Sequence, residues 1–285
     1  MKRTRLRRRA LAPAAPAQQG AHPCRACGAS GTRRRVVTNR RSGESLTVRI
    51  CGECGHVAIP KNVHDYVAET ASVVDFGTQL KPRHGTEDTP GREYAMANLG
   101  ITVLDRRPVD VLVYGAGKSI DNRHIGTLEA VGTVAIGDVV RVRDDVDFVD
   151  TTVPASRTFD VVVACEVIEH FVKPRADFPR LFEHVAADGL LICSTNIYDG
   201  GDLSRQGYIY ERGHVSYYTP KALRAIAREN GIHVDFRVPL SATGQAGPRK
   251  RYVFFSRSLA VMEALSDFFG QTMYAPSEPP APRRS

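Results

Sequence analysis

The sequence predicts an α/β fold in which a doubly wound, mostly parallel sheet follows a small metal-binding module. From Val109 onward, nearly continuous apolar runs alternate with segments of helical periodicity, which is typical of a parallel sheet covered on both faces. Before them, two Cys-x-x-Cys pairs stand in a stretch rich in Gly and Arg. The chain has 285 residues, of which 42% are hydrophobic, and this suffices for a large core. No apolar run approaches the roughly 18 residues of a membrane span.

Composition divides the chain into five parts. The first part is a basic arm rich in Arg, Ala and Pro, and the last is a Pro-rich tail; both are predicted to be disordered. Between them come the cysteine module, a linker with a helical lead-in and the main domain. In chain order the ranges of the five parts are 1–20, 21–60, 61–107, 108–272 and 273–285.

The positive charge is concentrated near the amino terminus. The net charge is +8, yet residues 1–60 hold 13 Lys and Arg against two acids, so the rest of the chain is slightly acidic. Such a basic segment allows RNA as a partner of residues 1–60, although a solubilising tail is the favoured interpretation of residues 1–9. Six cysteines are too few for a disulfide framework, and the segment after Arg9 is too short and Pro-rich for a signal peptide. We therefore expect a reducing, cytoplasmic setting.

The predicted elements of the main domain follow in chain order. Strands are expected at Val109–Tyr114, Thr133–Ile136, Phe159–Cys165, Leu190–Thr195, Val234–Leu240 and Tyr252–Ser256, and Val139–Val142 either continues the second strand or begins a turn. Helices are expected at Arg92–Leu104, Asn122–Val131, Lys173–Asp188, from Pro220 to Gly231 with Thr219 as N-cap, and at Leu259–Phe269. Gly189 is expected to end the third helix with a positive φ. The pattern is that of a Rossmann-like sheet, whose ligands bind at the carboxyl ends of the strands, here after Tyr114, Ile136, Cys165 and Thr195.

The four amino-terminal cysteines have the spacing of a metal site. Cys24 and Cys27 are followed after 23 residues by Cys51 and Cys54, and a Gly comes after each pair, as in zinc-ribbon knuckles. Four sulfur ligands leave no open position, so the expected ion is a structural Zn²⁺. His22 and His56 are alternative ligands, but solvated surface histidines are the favoured interpretation.

A glycine-rich turn follows the first strand of the main domain. In Gly115-Ala116-Gly117 the backbone can approach a ligand closely, and Asp138, 21 residues after Gly117, ends the next strand, where a carboxylate can accept ribose hydroxyls. A dinucleotide site would need a third Gly where Ile120 stands. A P-loop would need a Gly where Leu112 stands.

Residues 109–240 resemble a class I S-adenosylmethionine-dependent methyltransferase domain. The resemblance rests on five segments, which are Val111–Gly117, Asp138, Phe159–His170, Asp188–Ile192 and His214–Pro220. The segments Glu-Val-Ile-Glu-His and His-x-Ser-x-Tyr-Thr-Pro within them are the most specific. The enzymes that this sequence resembles most act on sugars, quinones and other small metabolites.

The resemblance implies how the cofactor is bound. Tyr114, Gly115, Ala116 and Gly117 would wrap the methionine moiety, Asp138 would hold the ribose, and the backbone around Cys165 and Glu166 would meet the methionine end. One of Asp144, Asp145, Asp147 and Asp150 would reach the adenine amino group. The family usually has an acid where Val113 stands and a third Gly where Ser119 stands; Asp121 or Glu166 is a substitute for the missing acid.

The acceptor side should lie near two histidines. Transfer to a hydroxyl needs a group that takes the proton, and His170 and His214 are candidate bases. Glu169 would orient His170 or bind a metal such as Mg²⁺ together with Asp199 or Asp202. The loop Asn196–Arg212 carries tyrosines that would form a lid, together with two just beyond it; they are Tyr198, Tyr208, Tyr210, Tyr217 and Tyr218.

Three functional hypotheses follow. The first is O-methylation of a hydroxyl on a sugar, a glycan or another small metabolite, supported by the slightly acidic body and the Tyr/His lid. The second is an RNA methyltransferase anchored by the basic cysteine module, with Arg33, Arg34 and Arg35 tracking phosphates. The third is a non-catalytic binding protein that has kept the fold, supported by Val113 and Ser119.

Overall fold

A computed structural model describes residues 22–60, 85–144, 146–238 and 250–270. The predicted basic arm, most of the linker, Asp145, Leu240 and the predicted tail lie outside these residues. In chain order the strands are β1 (Thr32–Thr38), β2 (Ser45–Cys51), β3 (Val57–Ala58), β4 (Val109–Tyr114), β5 (Val131–Asp138), β6 (Asp147–Asp150), β7 (Phe159–Cys165), β8 (Val185–Asn196), β9 (Ser216–Tyr217), β10 (His233–Arg237) and β11 (Lys250–Ser256). The α-helices are α1 (Arg92–Leu104), α2 (Asp121–Ile125), α3 (Pro174–Glu183), α4 (Pro220–Glu229) and α5 (Leu259–Phe269). Short 3₁₀ turns lie at Ile168–His170, Leu203–Arg205 and Gly207–Tyr210.

The main sheet has seven strands in the order β10-β11-β8-β7-β4-β5-β6. The strands from β8 to β6 in that order pair in parallel, whereas β11 pairs antiparallel with both β8 and β10. The prediction of a doubly wound, mostly parallel sheet is therefore confirmed. The strand order reverses between β4 and β7, and in such sheets this reversal opens the crevice that binds the ligand.

Helices cover both faces of the main sheet. On one face Leu112 belongs to a buried cluster with Phe178 of α3 and Ile226 of α4. On the other face Val113 belongs to a cluster with Met96 of α1 and Met262 of α5. Successive residues of a strand point to opposite faces, so β4 is apolar on both sides and reads as a continuous hydrophobic run.

Several predicted bounds agree with the structure. The predicted ranges of α1, β4, β7 and α5 agree with the observed ones residue for residue. The Thr219 hydroxyl accepts a hydrogen bond from the Ala222 amide at 3.0 Å, which confirms the N-cap before Pro220.

The prediction of one helix over Lys173–Asp188 is wrong after Glu183. Helix α3 ends at Glu183, and β8 already begins at Val185. Gly189 lies within β8, and it does not end a helix with a positive φ. A glycine is needed here because β8 packs closely on β7: a Cβ on Gly189 would lie 2.9 Å from the Asp160 carbonyl oxygen of β7. Val185 fits the helical spacing by coincidence.

Two further elements differ around β5. The predicted helix Asn122–Val131 is shorter, because α2 ends at Ile125 and Val131 already begins β5. Residues Val139 and Val140 form bends and do not continue the strand. Strand β6 was not predicted, because its apolar part consists of only Phe148 and Val149 between two aspartates.

A second, antiparallel sheet joins the cysteine module to the main domain. Its order is β1-β2-β3-β9, so three strands come from the module and the fourth from the segment after His214. A third buried cluster lies on this sheet and includes residues of both parts. No helix in the described ranges is long and apolar enough to cross a membrane.

Candidate functional site

The glycine turn lies at the carboxyl end of β4, where the strand order reverses. Gly115 and Gly117 have φ values of +69° and +53°, a region that L side chains rarely adopt. A Cβ on Gly115 would lie 2.5 Å from Cγ2 of Val167. The Tyr114 ring is buried and lies beside His184, with 5.7 Å between the ring centroids. Tyr114 therefore contributes its backbone, and not its ring, to the glycine turn.

Asp138 lies beside the glycine turn, at the end of β5. Its two carboxylate oxygens accept hydrogen bonds from the Gly117 amide at 2.8 Å and from the Val139 amide at 2.7 Å. Burial raises the pKa of Asp138, while these amide hydrogen bonds oppose the shift. Because a carboxylate accepts about four hydrogen bonds, it retains capacity for hydroxyl donors.

The structure separates the aspartates that were predicted to be near the adenine. Asp150 ends β6 and is the register neighbour of Asp138, so it lies at the carboxyl edge of the sheet. Asp147 begins β6, lies at the opposite edge and forms an ion pair with Arg157 at 2.5 Å. Asp144 precedes β6 and is exposed, and Asp145 lies outside the described residues.

Asp121 and Glu166, the two candidates to replace the missing acid at Val113, have different surroundings. The Asp121 carboxylate accepts hydrogen bonds from the amides of Gly91, Glu93 and Tyr94 and thereby holds the start of α1. Glu166 follows β7, and its carboxylate is engaged by the Lys250 ammonium and, at 2.7 Å, by the Ser194 hydroxyl. Burial alone would raise the pKa of Glu166; the positive charges of Lys250 and Arg92 reverse the shift and lower it.

Arg92 and Lys250 are two basic residues beside Glu166 that the sequence did not reveal. Arg92 begins α1, its Nη1 lies 4.0 Å from the Glu166 carboxylate, and its buried Nε and Nη2 atoms lack a hydrogen-bond partner within the described ranges. Lys250 begins β11, and because β11 runs antiparallel to β8, this first residue pairs with Asn196 at the carboxyl edge. The strand predicted from the sequence begins at Tyr252, so it does not include Lys250.

Cys165 is not a reactive thiol in this arrangement. It ends β7 beside Glu166, and burial raises its pKa to about 12. Its sulfur accepts a hydrogen bond from the Ser194 hydroxyl at 3.4 Å. Glu166 has a φ of +59°, so the chain turns sharply at the position where the sequence placed the methionine end of the cofactor.

Glu169, His170 and His214 come together at the same edge of the sheet. One ligand atom of each lies within 4.8 Å of the others, and the two imidazole centroids are 5.0 Å apart. His170 Nδ1 lies 2.8 Å from the Gly213 carbonyl oxygen, and His214 Nδ1 lies 2.8 Å from that of Tyr208. Because a carbonyl oxygen only accepts, these contacts place the N–H on Nδ1 and the lone pair on Nε2.

The protonation states of this cluster follow from burial. Burial lowers the pKa of both histidines, so the imidazoles are neutral at pH 7. Burial raises the pKa of Glu169 to about 7, and the Glu166 charge adds to this shift. Glu169 is fully buried, and neither of its carboxylate oxygens has a hydrogen-bond partner among the described residues.

Two expectations for the acceptor side are corrected. Glu169 groups with the two histidines and not with Asp199 or Asp202, since Asp202 forms an ion pair with Arg40 at 2.9 Å and Asp199 accepts from the Gly201 amide. The predicted tyrosine lid is largely core: Tyr198, Tyr208, Tyr217 and Tyr218 are buried, and Tyr210 is partly buried. These rings therefore do not form an open stacking surface.

The four cysteines of the module form one cluster. The Sγ atoms of Cys24 and Cys54 are 3.6 Å apart and those of Cys27 and Cys51 are 3.7 Å apart. A tetrahedral site with metal–sulfur bonds of about 2.3 Å has sulfur–sulfur edges of roughly 3.8 Å. The amides of Ala26 and Cys54 donate to the Cys24 and Cys51 sulfurs at 3.4 Å. The set therefore fits one tetrahedral metal ion.

The two histidines near the cysteines have different surroundings. His22 is exposed, as expected. The expectation of a solvated His56 is wrong, because this residue is buried beside Tyr218, with 5.2 Å between the ring centroids. The four thiols are sufficient as ligands without either imidazole.

Comparisons with known proteins find methyltransferases of low sequence identity. Among solved structures, the Burkholderia thailandensis 1,6-didemethyltoxoflavin-N1-methyltransferase with bound S-adenosylhomocysteine is 19% identical, with a TM-score of 0.43 over 56% of this chain and 76% of that one. The plantazolicin methyltransferase BpumL in complex with SAH is 12% identical, with a TM-score of 0.43 over 58% and 82%. The methyltransferase domain of bacterial CtHen1-C is 16% identical, with a TM-score of 0.41 over 57% and 98%. A search of the curated proteins finds no match.

A family model described as a methyltransferase domain, Methyltransf_23, matches residues 88–235, which is a little over half of the chain. The chain belongs to this family. It is an S-adenosylmethionine-dependent methyltransferase, as the glycine turn, Asp138 and the strand order had indicated.

Proposed function

We propose that this methyltransferase transfers the methyl group of S-adenosylmethionine to a hydroxyl oxygen of a sugar, a glycan or another small metabolite. The observation that carries the proposal is the cluster of Glu169, His170 and His214, which lies at the same edge of the sheet as the glycine turn. A hydroxyl must lose its proton as it is methylated, and neutral imidazoles beside a carboxylate are suited to accept it.

The residues around the glycine turn fit the cofactor. Apart from its chain neighbours, no described residue has an atom within 4 Å of a Cβ built on Gly117, so the turn leaves space for a ligand against its backbone. Asp138 offers acceptors to ribose hydroxyls, and the unpartnered N–H groups of Arg92 suit the methionine carboxylate. When bound, S-adenosylmethionine supplies a methyl group on a positively charged sulfur. Glu166 and Arg92 would bracket the methionine end in place of the missing acid at Val113, and Asp150 is the favoured partner of the adenine amino group.

The proposed proton transfer uses the Nε2 lone pair of His170 or His214. The acceptor oxygen forms a bond to the methyl carbon as the carbon–sulfur bond breaks, and the sulfur keeps that electron pair. The hydroxyl proton passes to Nε2, while Nδ1 stays bound to a backbone carbonyl and fixes the ring. Glu169 in its ionised form stabilises the imidazolium that forms, because the two side chains are adjacent and then carry opposite charges.

The same three side chains fit a divalent cation as an alternative means of activating the hydroxyl. Each histidine directs Nδ1 to a carbonyl, which is how proteins orient metal-binding imidazoles, and Glu169 brings buried carboxylate oxygens. A bound cation would lower the pKa of the acceptor hydroxyl. Two imidazoles suit Mn²⁺, Fe²⁺ or Zn²⁺ better than Mg²⁺, which prefers oxygen ligands.

Titration of the apo chain with Mn²⁺, followed by electron paramagnetic resonance, tests this occupancy. We expect one bound Mn²⁺ per chain if the cluster holds a cation, and none in His170→Ala. If Mn²⁺ binds equally well to His170→Ala, or does not bind to the native chain, the cluster does not hold a cation. A histidine would then act as the base without a metal.

We further propose that Zn²⁺ occupies the four-cysteine cluster in a structural role. The sulfur–sulfur distances and the amide donors support this assignment. Four thiolate ligands complete the coordination shell, so the ion would have no position for substrate.

The acceptor class is tested with labelled S-adenosylmethionine and a fractionated cell extract. We expect the label in the small-molecule or glycan fraction, because the main domain is slightly acidic and disfavours a polyanion. The exposed arginines Arg33, Arg34 and Arg35 of β1 support RNA as the alternative. Label that appears in RNA and is lost after ribonuclease treatment would favour that alternative.

Replacement of Asp138 by Asn should weaken S-adenosylmethionine binding by about 10- to 100-fold. The change removes the charge that accepts the ribose hydroxyls, and hydrogen bonds to charged groups contribute about 1.5–3 kcal/mol each. Isothermal titration calorimetry measures the effect, with Asp267→Asn on the exposed side of α5 as the matched control. Equal affinity of both variants would exclude Asp138 from the cofactor site.

A further inference from the structure

Strand β9 lies between the cysteine module and the Glu169–His170–His214 cluster. On one side, Val57 and Ala58 of β3 pair with Tyr217 and Ser216. On the other side, the Ser216 hydroxyl donates to the Phe171 carbonyl at 2.8 Å. Two-residue strands are too short to be stable alone, so the position of β9 depends on its neighbours.

Val215, next to His214, is held from both sides. Its carbonyl accepts a hydrogen bond from the Ile59 amide of the module at 2.9 Å. Its amide donates to the Glu169 carbonyl at 3.0 Å. One residue thus links the module directly to the backbone of two members of the cluster.

The module and the segment that bears His214 share a hydrophobic core. The third cluster contains five residues from each part, which are Val37, Leu46, Val48, Val57 and Ile59 from the module and Tyr198, Leu203, Tyr208, Ile209 and Tyr217 from the main domain. Tyr208 is important here because its carbonyl fixes His214 Nδ1 at 2.8 Å. The core that surrounds Tyr208 therefore fixes the orientation of the imidazole.

Both ends of the module are anchored to the main domain. At the hairpin end, the Arg40 guanidinium pairs with Asp202 at 2.9 Å, and the Tyr210 hydroxyl donates to the Val37 carbonyl at 3.2 Å. At the cysteine end, the Thr219 hydroxyl donates to the Cys54 carbonyl. A Cβ on Gly55 would lie 2.9 Å from Cγ2 of Thr219, so the Gly55 backbone packs closely against the Thr219 side chain.

The cofactor residues are held differently. The Gly115 amide donates to the Gly137 carbonyl at 2.6 Å, and the Gly117 amide donates to Asp138, so these contacts arise within the main sheet. The cysteines themselves pack in the same buried cluster as Tyr114, but Val57 and Tyr217 of β9 belong to the third cluster. A change at Val57 would therefore act on the segment that bears His214 and not on the glycine turn.

We propose that the cysteine module is a positioning element of the acceptor site. By pairing β3 with β9 and by closing the core around Tyr208, it holds His214 against Glu169 and His170. The kinetic part of this inference rests on the proposed function of the cluster, whereas the structural part does not. A misplacement of about 1 Å in catalytic geometry can lower a rate by up to 10²-fold.

The test compares Val57→Ala with Val36→Ala in the full, zinc-loaded chain. Val57 is fully buried on β3, whereas the Val36 side chain is 63% exposed on β1, so the two changes have the same chemistry in the same module. We expect Val57→Ala to reduce turnover at saturating S-adenosylmethionine at least tenfold. Hydrogen exchange at the Val215 amide should accelerate at least tenfold. The dissociation constant of S-adenosylhomocysteine and the zinc content should stay within twofold of the native values. Val36→Ala should leave turnover, Val215 exchange, S-adenosylhomocysteine binding and zinc content unchanged.

Tyr210→Phe serves as a second, milder variant that retains the fold if Val57→Ala does not. It removes only the hydroxyl that reaches Val37, and a two- to fivefold loss of turnover with unchanged cofactor binding is expected. Unchanged turnover and Val215 exchange in a folded Val57→Ala would overturn the proposal. Equal losses of turnover and cofactor affinity would also overturn it, since they indicate general destabilisation. If the native chain methylates no acceptor, the proposed function fails, yet the exchange experiment still tests the coupling.

Discussion

Replacement of His214 or His170 by Ala should lower turnover by about 10²- to 10⁴-fold, the usual range for loss of a general base. Both imidazoles are neutral because burial lowers their pKa, and both hold Nδ1 on a backbone carbonyl. The two ring centroids are 5.0 Å apart. One imidazole can therefore accept the proton while the other orients that imidazole or the methyl acceptor. The larger loss identifies the base.

The measurement is transfer of labelled methyl to the acceptor fraction, with the dissociation constant of S-adenosylmethionine determined in parallel. His233→Ala, on β10 and away from the cluster, is the control and should keep full turnover. Added imidazole should partly restore the Ala variant of the base, because it supplies the missing proton acceptor. Full turnover in both His170→Ala and His214→Ala would show that neither is required.

Replacement of Cys51 by Ser should release the metal and lower Tm by about 10 °C. A structural zinc contributes folding free energy directly, and for a chain of this size 1 kcal/mol corresponds to roughly 2–4 °C. The module has few buried residues of its own apart from the core it shares with the main domain, so loss of the ion should also loosen β3.

Zinc content by atomic absorption and thermal unfolding measure this effect. Cys193→Ser is the matched control: Cys193 is buried in β8, so its replacement costs stability but should leave one zinc per chain. A Cys51→Ser chain that keeps one zinc and its Tm would contradict the four-cysteine assignment.

The sequence predicted those parts of the fold that local patterns encode. Unbroken apolar runs located β4 and β7, and the Thr-Pro pair located the start of α4, because burial and capping act over a few residues. The helical spacing around Val185 was misleading, since the same valine also fits a buried strand, and only the close packing of Gly189 on β7 distinguishes the two.

The candidate site was predictable where it follows strand ends. The cysteine spacing and the position of Asp138 at the end of β5 were predicted directly from the sequence, and Glu169 and His170 come just after β7. The grouping of these two with His214, which is 44 residues beyond His170, was not predictable as a contact, because it depends on β9. Strands of two residues have no detectable periodicity, so the junction of β3 with β9, and with it the link between module and site, is visible only in three dimensions.

The claim that the methyl group goes to a hydroxyl oxygen of a small molecule is tested most directly on the product. The chain is incubated with S-adenosylmethionine that carries a ¹³C-methyl group and with the acceptor fraction, and the purified product is examined by ¹³C NMR. We expect one enriched methyl resonance at the chemical shift of a methyl ether, and a signal at least about 10²-fold weaker with whichever of His170→Ala and His214→Ala loses more turnover. An enriched resonance of a methyl group on nitrogen or carbon, or a label carried by RNA, would contradict the account.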